Sequence, residues 1–387
     1  MAKAPFDVLI LVDPRFMGGT ATSVASDVRT FSAAGVSVGM YFVEGQDFFL
    51  PHETANPALE ALFDLPGVER VSSDGPLAAR LACFHHPQPF QVGVANPASL
   101  TCDRAVIVAH QAPFKGDGAL DYDPFAVQSR IRTQFGVRPL WAPISGVCRA
   151  QLQSFAPLLR LTTLDWINTF DVADWAPKRE KLTSPDLTVG RHGRPHAEKW
   201  GDSPAEIAAS LPAGPHTHIR TMGTDPAFFE DMGLDVSRWD VLAFNAEPVT
   251  DFLDSLDVFA YFYSSRWTET FGRTVAEAML MGARCILDPG LRVTFGPHAI
   301  YCQPSEVASV LDTIRHDLVG ARQAAAEARD YCLEAYATSA IPARYEALLS
   351  DTGTTSRGAS PSASPFTAAR KWTGFHKRRR QDKRLTA

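Results

Sequence analysis

The 387-residue sequence lacks several features that would assign it to a class of protein at once. No apolar run approaches the roughly 18 residues that a membrane-spanning helix requires. Six cysteines are scattered without a CxxC pair or a histidine at zinc-ligand spacing, so we expect reduced thiols in a cytoplasmic protein without a disulfide framework. The GxGxxG and Walker phosphate loops are also absent. An apolar content of 45% then indicates a globular chain, and the length favours two domains.

Net charge is small as well, at −6, but it is unevenly distributed along the chain. Residues 351–387 contain nine Lys or Arg and two Asp or Glu, whereas the first 350 residues contain 28 and 41. An acidic body disfavours nucleic-acid binding by the folded part. Ser, Thr, Gly or Pro occupy 11 of the 15 positions from Asp351 to Pro365, which predicts a disordered linker before the basic end.

The basic end carries Trp372 and Phe375 among its Lys and Arg residues, and two interpretations of it remain open. Residues 370–384 are suited to peripheral contact with an anionic membrane, where each cation contributes about 1 kcal/mol. A solubilising or RNA-binding appendage is the other interpretation. We expect the protein in the cytoplasm, with the inner face of the membrane as a second location if the tail binds lipid.

Apolar runs alternate with helical patterns in two successive halves, which predicts doubly wound α/β domains. The predicted strands of the first half are Phe6 to Val12, Val36 to Val43, Gln91 to Ala95 and Arg104 to Ala109. Those of the second half are Leu187 to Gly190, His218 to Met222, Val241 to Asn245, Val258 to Tyr263 and Arg284 to Leu287. We expect an N-terminal domain over 1–165, a linker over 166–186, a C-terminal domain over 187–334, a helix over 335–350 that returns to the first domain, and the tail over 351–387.

The segment from Ser264 to Pro289 contains two glutamates eight positions apart, Glu269 and Glu277. If a helix begins near Gly272, the backbone amides of Phe271, Gly272 and Arg273 point outward at its positive end, which suits a phosphate. Glu277, one turn further along, is placed to accept hydrogen bonds from a ribose diol. Two surface carboxylates near a helix start are the simpler interpretation of the same pattern.

The loop after the Leu187 to Gly190 strand carries Arg191 and Lys199, two cations that suit a diphosphate through charge-assisted hydrogen bonds. A solvated basic loop is the alternative. His192 and His196 stand four apart, but no third ligand accompanies them, so we expect no metal site. Near the N-terminus, the segment Met17-Gly18-Gly19-Thr20 is predicted to form the turn between the first strand and a helix. Its functional interpretation is a wall of backbone amides beside a phosphate.

The ordered set of GGT after the first strand, GR…K at the start of the second domain, and E-x7-E followed by EAMLMG resembles the retaining glycosyltransferases of family four. The resemblance spans about the first 350 residues and is strongest from Leu187 to Pro304. It implies the GT-B architecture, in which two Rossmann-like domains face each other across a cleft. Two departures from the family pattern are the longer gap between Arg191 and Lys199 and the Ser264-Ser265 pair where the family usually has Pro-Ser.

The resemblance also implies roles for individual residues. It assigns Glu269 to the donor sugar, Glu277 to the ribose, and Arg191 with Lys199 to the diphosphate. The remaining donor-binding positions that it implies are Gly18, Gly19, Asn245 within the Phe244 to Pro248 loop, Thr270, Phe271, Gly272 and Arg273. A histidine at the end of an N-domain strand often holds the donor sugar in this family, which points to His110, with His85 and His86 as rivals.

The implied activity is a metal-independent retaining transfer, of hexosyltransferase type, from a nucleotide-diphosphate sugar to an acceptor hydroxyl. A glycan, a polysaccharide of the cell envelope or a lipid-linked sugar is the expected acceptor, and no cofactor is expected. A sugar phosphorylase or an epimerase of the same architecture remains an alternative, since fold does not fix reaction. A catalytically silent protein that binds a partner is another.

Overall fold

The computed structural model describes residues 5–50, 52–155, 158–354 and 365–382. The chain forms two compact units. The first unit comprises the described residues within 1–114, 119–169 and 338–387, and the second comprises 115–118 and 170–337. Each unit is built around one parallel sheet of six strands.

The first sheet has the strand order β3-β2-β1-β4-β5-β6. Its strands are β1 (Phe6–Val12), β2 (Val38–Phe42), β3 (Val68–Arg70), β4 (Leu77–His85), β5 (Leu100–Ala109) and β6 (Leu140–Pro143). The last five residues of β1 are buried on both faces, because helices cover both sides of a doubly wound sheet. Leu9 lies opposite Gly39 on one side and Ala82 on the other, which fixes the register of the three central strands.

The second sheet has the order β12-β11-β10-β7-β8-β9, which is the same connectivity as that of the first. Its strands are β7 (Leu187–His192), β8 (Thr217–Met222), β9 (Trp239–Leu242), β10 (Val258–Tyr261), β11 (Arg284–Leu287) and β12 (Ile300–Tyr301). In both sheets the first strand of the unit pairs with the second and with the fourth. The order of the strands therefore runs in opposite directions on the two sides of the first strand, which makes a switch point. Ligands of open α/β sheets bind at the carboxyl ends of the strands beside such a point.

Fourteen α-helices are found in the described part of the chain. They are α1 (Gly19–Ala33), α2 (Pro57–Glu60), α3 (Pro89–Val92), α4 (Pro124–Phe135), α5 (Gly146–Gln153), α6 (Pro204–Ser210), α7 (Pro226–Asp231), α8 (Val249–Ser255), α9 (Arg273–Leu280), α10 (Arg292–Phe295), α11 (Val307–His316), α12 (Leu318–Ala335), α13 (Ile341–Ser350) and α14 (Pro365–Asp382). Among the described residues, no helix is both long and apolar enough to cross a membrane.

The sequence-based strand at Gln91 to Ala95 is wrong. Residues of α3 occupy this position, because Pro89 stands at the first turn of a helix, where its missing N–H costs nothing. The strand of this region is instead β4, which the sequence analysis missed. Its first half alternates buried and more exposed residues, and its last five are all buried, so neither the pure alternation nor the unbroken apolar run used as a signal is present.

The unit boundaries differ in detail from those expected. Residues 166–169 group with the first unit and 170–186 with the second. Residues 115–118 also belong to the second unit, where the Gly116 amide donates to the Arg266 carbonyl at 3.0 Å. A Cβ on Gly116 would lie 2.1 Å from the Ser265 carbonyl oxygen, so only glycine fits there. Helix α13 lies in the first unit, where Tyr345 packs against Phe31 of α1 with ring centroids 5.8 Å apart.

The basic end of the chain is helical where it is described, which corrects the expectation of a disordered tail for α14. Phe375 is buried in the first unit among the rings of Phe114, Phe125 and Phe155, at centroid distances of 5.3 to 5.8 Å. Burying one such aromatic side chain contributes about 2 kcal/mol, which the composition of the tail did not reveal. The Thr354 amide also donates to the Leu161 carbonyl. Residues 355–364 and 383–387 lie outside the described residues.

Candidate functional site

The switch point of the second unit lies between β7 and β10, and polar side chains gather at their carboxyl ends. Arg191 and His192 are the last two residues of β7, and Tyr261 is the last residue of β10. The chain after β7 then makes one 3₁₀ turn, Ala197–Lys199, and the chain after β10 leads through Glu269 to the start of α9. Strand connectivity alone therefore collects most of the residues that the sequence predicted in this half.

Lys199 and Glu269 form a buried ion pair beside Tyr261. The Lys199 ammonium group donates to a Glu269 carboxylate oxygen and lies 3.2 Å from the Tyr261 hydroxyl oxygen. The Tyr261 hydroxyl donates to the same carboxylate oxygen at 2.5 Å. The ammonium group also lies 4.7 Å from the centre of the Trp267 ring, a cation–π contact. Charge, hydrogen bond and ring together fix the position of a lysine that would otherwise be mobile.

Burial and pairing act in opposite directions on the ionisation of this pair. Burial by itself raises the pKa of Glu269, but the Lys199 charge and the hydrogen bonds from Lys199 and Tyr261 bring that pKa below its ordinary value. Burial likewise lowers the pKa of Lys199, and the Glu269 carboxylate opposes that shift. Glu269 is therefore an ionised acceptor at neutral pH.

Arg191 is buried, with 3% of its surface exposed, and its hydrogen bonds go to backbone carbonyls of its own unit. Its guanidinium group donates to the carbonyls of Phe262 and Lys199, both at 2.6 Å. The rings of Trp200 and Tyr261 lie 4.2 and 4.5 Å from its central carbon. Burial lowers the pKa of Arg191 to about 10, which leaves it charged at neutral pH. The contact with the Lys199 carbonyl means that Arg191 holds the 3₁₀ turn that carries the lysine.

Helix α9 begins at Gly272, which has φ 79° and ψ 55° in the left-handed region that favours glycine. A Cβ there would lie 3.3 Å from the Phe295 ring. Thr270 and Phe271, which precede it, are both buried, and the Phe271 ring packs against Phe295 and Tyr336. The sequence-based start of this helix is confirmed. Since glycine offers no side-chain cap, no side chain accepts from the first amides of α9.

Glu277 has two basic neighbours within the second unit. One carboxylate oxygen accepts from Arg273 Nε at 3.1 Å, and the other lies 3.3 Å from His192 Nε2 without a hydrogen bond between them. Within the described part of the chain, the buried atoms His192 Nε2, Arg273 Nη1 and Thr274 Oγ1 have no hydrogen-bond partner. Buried polar groups are nearly always paired, so a group of orphaned atoms around a helix start indicates a polar ligand.

Asn245 lies in the loop between β9 and α8. It is exposed and adopts φ 59°, a left-handed conformation that asparagine tolerates better than most residues. Phe244 beside it is 51% exposed. An exposed aromatic residue and an exposed amide on this loop suit contact with a planar base.

The first unit has its own switch point, between β1 and β4. Gly18 follows β1 and precedes α1, with φ 66° and ψ −136°, a conformation essentially restricted to glycine. Gly19 is the first residue of α1, and a Cβ on it would meet nothing within 4 Å. The requirement for glycine therefore falls on Gly18 alone.

Three histidines gather at the carboxyl ends of β4 and β5 in the first unit. His85 ends β4, His86 follows it, and His110 follows β5. His85 Nδ1 and His110 Nε2 are 3.1 Å apart, and the ring planes of His86 and His110 are nearly parallel at a 6.0 Å centroid distance. Burial lowers the pKa of His110 to about 3 and those of His85 and His86 well below their ordinary value. These rings are neutral hydrogen-bonding groups at neutral pH.

The structure thus brings together Arg191, Lys199 and Glu269 in one cluster, with Glu277, Arg273 and Gly272 at the nearby helix start of the same unit. Tyr261 and His192 were missed by sequence reasoning, since the first was placed only within a predicted strand and the second only in an unsupported metal pair. A tyrosine at the carboxyl end of a strand beside a switch point was the available signal. Among the described residues, no group of three or more His, Cys, Asp or Glu is arranged to hold a metal ion.

Comparison with known proteins finds similarity at the level of structure only. No family model matches the chain, and no curated protein matches it. HepE from Anabaena, solved with UDP and with UDP-glucose, has a TM-score of 0.62 in its UDP complex at 16% identity, over 89% of this chain and 99% of that one. A glycosyltransferase from Rickettsia africae has a TM-score of 0.59 at 11% identity, over 90% and 100%.

WaaG, a glycosyltransferase involved in lipopolysaccharide biosynthesis, has a TM-score of 0.53 at 14% identity, over 89% of this chain and 99% of that chain. At these identities the likeness concerns the fold. The predicted fold class is confirmed: the chain consists of two α/β units, each with a parallel six-stranded sheet, as in glycosyltransferases of the GT-B architecture.

Proposed function

We propose that the protein is a glycosyltransferase that moves a sugar from a nucleotide-diphosphate sugar to an acceptor hydroxyl, with retention and without a metal ion. The observation that carries the proposal is the set of polar groups at the carboxyl ends of the strands of the second unit. There a buried Lys199–Glu269 pair, an uncapped helix start at Gly272 and orphaned polar atoms around Glu277 occur together. A dinucleotide-type sheet with these groups at its switch point suits a phosphorylated, hydroxyl-rich ligand.

Each group has a role in binding the donor. The amides at the start of α9 bind diphosphate oxygens, because the helix dipole and the unpaired N–H groups both favour an anion. Glu277, held by Arg273 and beside His192, accepts hydrogen bonds from the ribose hydroxyls. Glu269, ionised, accepts from hydroxyls of the sugar.

Stabilisation of the leaving group falls to Lys199. An ammonium group has three donor hydrogens, and its contacts with Glu269 and Tyr261 use two of them. The third is directed to a phosphate oxygen. Because this cation and the α9 amides neutralise the departing diphosphate, no metal ion and no other cofactor is required. Arg191 contributes by fixing the Lys199 backbone.

A nucleotide diphosphate is already a good leaving group, so a paired acid and base of the glycosidase type is unnecessary. The acceptor hydroxyl attacks the face that the diphosphate leaves, and a phosphate oxygen takes its proton. His110 is proposed as a neutral hydrogen-bonding partner of the donor sugar, since a group with a pKa of about 3 is not an acid at neutral pH. The Asn245 loop is proposed to contact the nucleobase.

The structural relatives guide the choice of donor and acceptor to test. HepE was solved with UDP-glucose, so UDP-hexoses are the first donors. WaaG acts in lipopolysaccharide biosynthesis, and a glycan or lipid-linked acceptor of the cell envelope is proposed here on that basis.

The direct test is thermal stabilisation of the full chain by UDP, GDP, ADP and their sugars, with EDTA present. We expect at least one nucleotide sugar to raise Tm, and Glu277→Ala to abolish the increase. Glu334→Ala removes an exposed glutamate on α12 and serves as the matched control, with the increase retained. No stabilisation by any nucleotide in the wild type would contradict the proposal. Turnover that requires free phosphate, or that proceeds without an acceptor, would establish a phosphorylase or an epimerase instead.

The proposed location is the cytoplasmic surface of an anionic membrane, reached through α14. Phe375 faces the first unit, whereas Phe366 and Trp372 on the same helix are 76% and 48% exposed. Arg370 and Lys377 are exposed as well. In a helix, positions 366, 370 and 377 fall on one face, opposite Phe375. A face that combines an exposed aromatic ring with cations, as Phe366 does with Arg370 and Lys377 here, is typical of helices that lie on lipid headgroups.

A further inference from the structure

Tyr261 lies in the core of the second unit, yet its side chain ends among charges. The residue is 1% exposed at the carboxyl end of β10, and its ring stacks on Phe259 at a 12° interplanar angle. Its neighbours along the strand are apolar and buried, as expected for the centre of a doubly wound sheet. The hydroxyl group is the only polar atom that this strand's side chains contribute.

That hydroxyl group connects the charged residues of the site. It donates to the Glu269 carboxylate at 2.5 Å and lies 3.2 Å from the Lys199 ammonium nitrogen. The face of the same ring lies 4.5 Å from the Arg191 guanidinium carbon. One side chain therefore contacts Arg191, Lys199 and Glu269, which the family resemblance assigned to the diphosphate and the donor sugar.

We propose that Tyr261 is a positioning residue for transfer, which holds the Glu269 carboxylate in a fixed orientation while it aligns Lys199 for the leaving diphosphate. The inference rests on the proposed function. Tyr261 touches neither donor nor acceptor itself, so it acts through its two partners.

The chemistry of the three groups explains why a phenol suits this position. A carboxylate only accepts hydrogen bonds and an ammonium group only donates them, whereas a phenol does both. It can therefore accept from Lys199 and donate to Glu269 at the same time. The rigid ring fixes the position of the oxygen, because it is packed between Phe259 and Arg191. Burial raises the pKa of Tyr261 well above its ordinary value, so the proton stays on the phenol.

Tyr263, two residues along the chain, offers a matched comparison. Its hydroxyl group bonds to Asp288. The two rings lie 6.0 Å apart, and both phenols are largely removed from solvent. Tyr263→Phe therefore removes the same atom from the same part of the sheet without touching the Lys199–Glu269 pair.

The experiment compares Tyr261→Phe with Tyr263→Phe in the full chain, with the donor that stabilises the wild type. For Tyr261→Phe we expect kcat to fall about ten- to hundredfold, the cost of one hydrogen bond to a charged group, with KM changed less than threefold. The acid limb of the kcat/KM profile should move to higher pH, because a carboxylate that loses a donor has a higher pKa. Tyr263→Phe should leave both unchanged.

Stability against pH gives a second readout that does not depend on turnover. The folded-state pKa of Glu269 is lowered, so its stabilising contribution is present above the unfolded pKa and is lost as the pH falls through the folded pKa. Removing the Tyr261 hydroxyl should therefore lower Tm more at pH 7 than at pH 3. Equal loss of Tm at both pH values, or loss of activity without a shift of the acid limb, would overturn the inference.

The two proposals fail in different ways. A wild type that neither binds a nucleotide sugar nor transfers from one refutes the proposed function. A wild type that does both, with Tyr261→Phe matching Tyr263→Phe in kcat and pH profile, refutes the role of Tyr261 and leaves the function standing.

Discussion

The two units share one strand order but fill their switch points with opposite chemistry. In the second unit the strand ends carry ions, with Lys199 paired to Glu269 and Arg273 paired to Glu277. In the first unit the corresponding ends carry the rings of His85, His86 and His110, all with pKa values lowered by burial. The same backbone scaffold therefore presents fixed charges in one unit and neutral hydrogen-bonding rings in the other.

The strand ends of the two units differ in charge because their buried groups avoid an unpaired buried charge in different ways. Charges persist in the second unit because every one is paired or donates to carbonyls, which offsets the cost of leaving water. Histidines can instead lose their charge, so the first unit tolerates burial without counter-ions. A diphosphate requires fixed charge, which Lys199 of the second unit supplies, whereas the histidines of the first unit can contribute only neutral hydrogen bonds. The predictions that follow probe this contrast.

The largest expected effect concerns Asp27 in the first unit, a carboxyl at 2% exposure that accepts from Trp166 Nε1 at 2.8 Å. Burial raises its pKa from 3.8 to about 7, which costs about 4 kcal/mol once it ionises. The folded state keeps a proton that the unfolded chain releases above pH 4. The free energy of unfolding should therefore fall as the pH rises from about 4 to about 7.

Asp27→Asn should remove that slope in denaturant titrations, because the amide oxygen still accepts from the indole and cannot ionise. Asp103→Asn alters an exposed carboxylate of the same unit and should leave the slope in place. Identical slopes in all three proteins would show that the first unit does not hold this carboxyl neutral.

The next effect is on transfer by Lys199→Ala. We expect kcat to fall about 10²- to 10³-fold, about 3 kcal/mol, because a preorganised donor at the leaving oxygens is lost. Lys178→Ala is the control, since Lys178 is 68% exposed and pairs only at the surface with Asp251. Initial rates with the donor identified by thermal stabilisation measure both. Similar rates for the two variants would show that Lys199 is not the cation that stabilises the leaving diphosphate.

A smaller effect is expected at α14, the one strongly basic element of an acidic chain. Arg370→Glu with Lys377→Glu should weaken binding to vesicles of anionic phosphatidylglycerol about tenfold or more, since each cation contributes about 1 kcal/mol. Arg29→Glu with Arg238→Glu makes the same change of charge at exposed positions elsewhere and should have little effect. Wild-type protein that pellets equally with neutral vesicles, or that binds RNA and no vesicle, would contradict this location.

The smallest effect is an absence of titration in the first unit. Between pH 8 and pH 5 the ring signals of His85, His86 and His110 in NMR spectra should stay constant, because their pKa values lie below this range. Single His→Asn variants assign the signals. Titration of any of the three near its ordinary value of about 6.5 would remove the contrast between the units.

Much of the second unit could be predicted from sequence because its signals are local. A glycine before a helix and two glutamates eight apart define the start of α9, and the structure places Gly272 and Glu277 accordingly. Less of the first unit could be predicted from sequence, since β4 lacks a regular pattern and α3 was mistaken for a strand. Its three histidines come together only because β4 and β5 end at the same edge of the sheet.

The sequence by itself determined the two α/β halves, the glycine turns and the acidic body with a basic end, because periodicity, backbone freedom and charge are properties of short segments. Tertiary structure alone decided that Tyr261 joins the charged cluster, that Arg191 donates to carbonyls of its own unit, and that Phe375 holds the basic end as a helix. These outcomes depend on which side chains meet across strands distant in sequence, and burial then sets their charge and their hydrogen bonds.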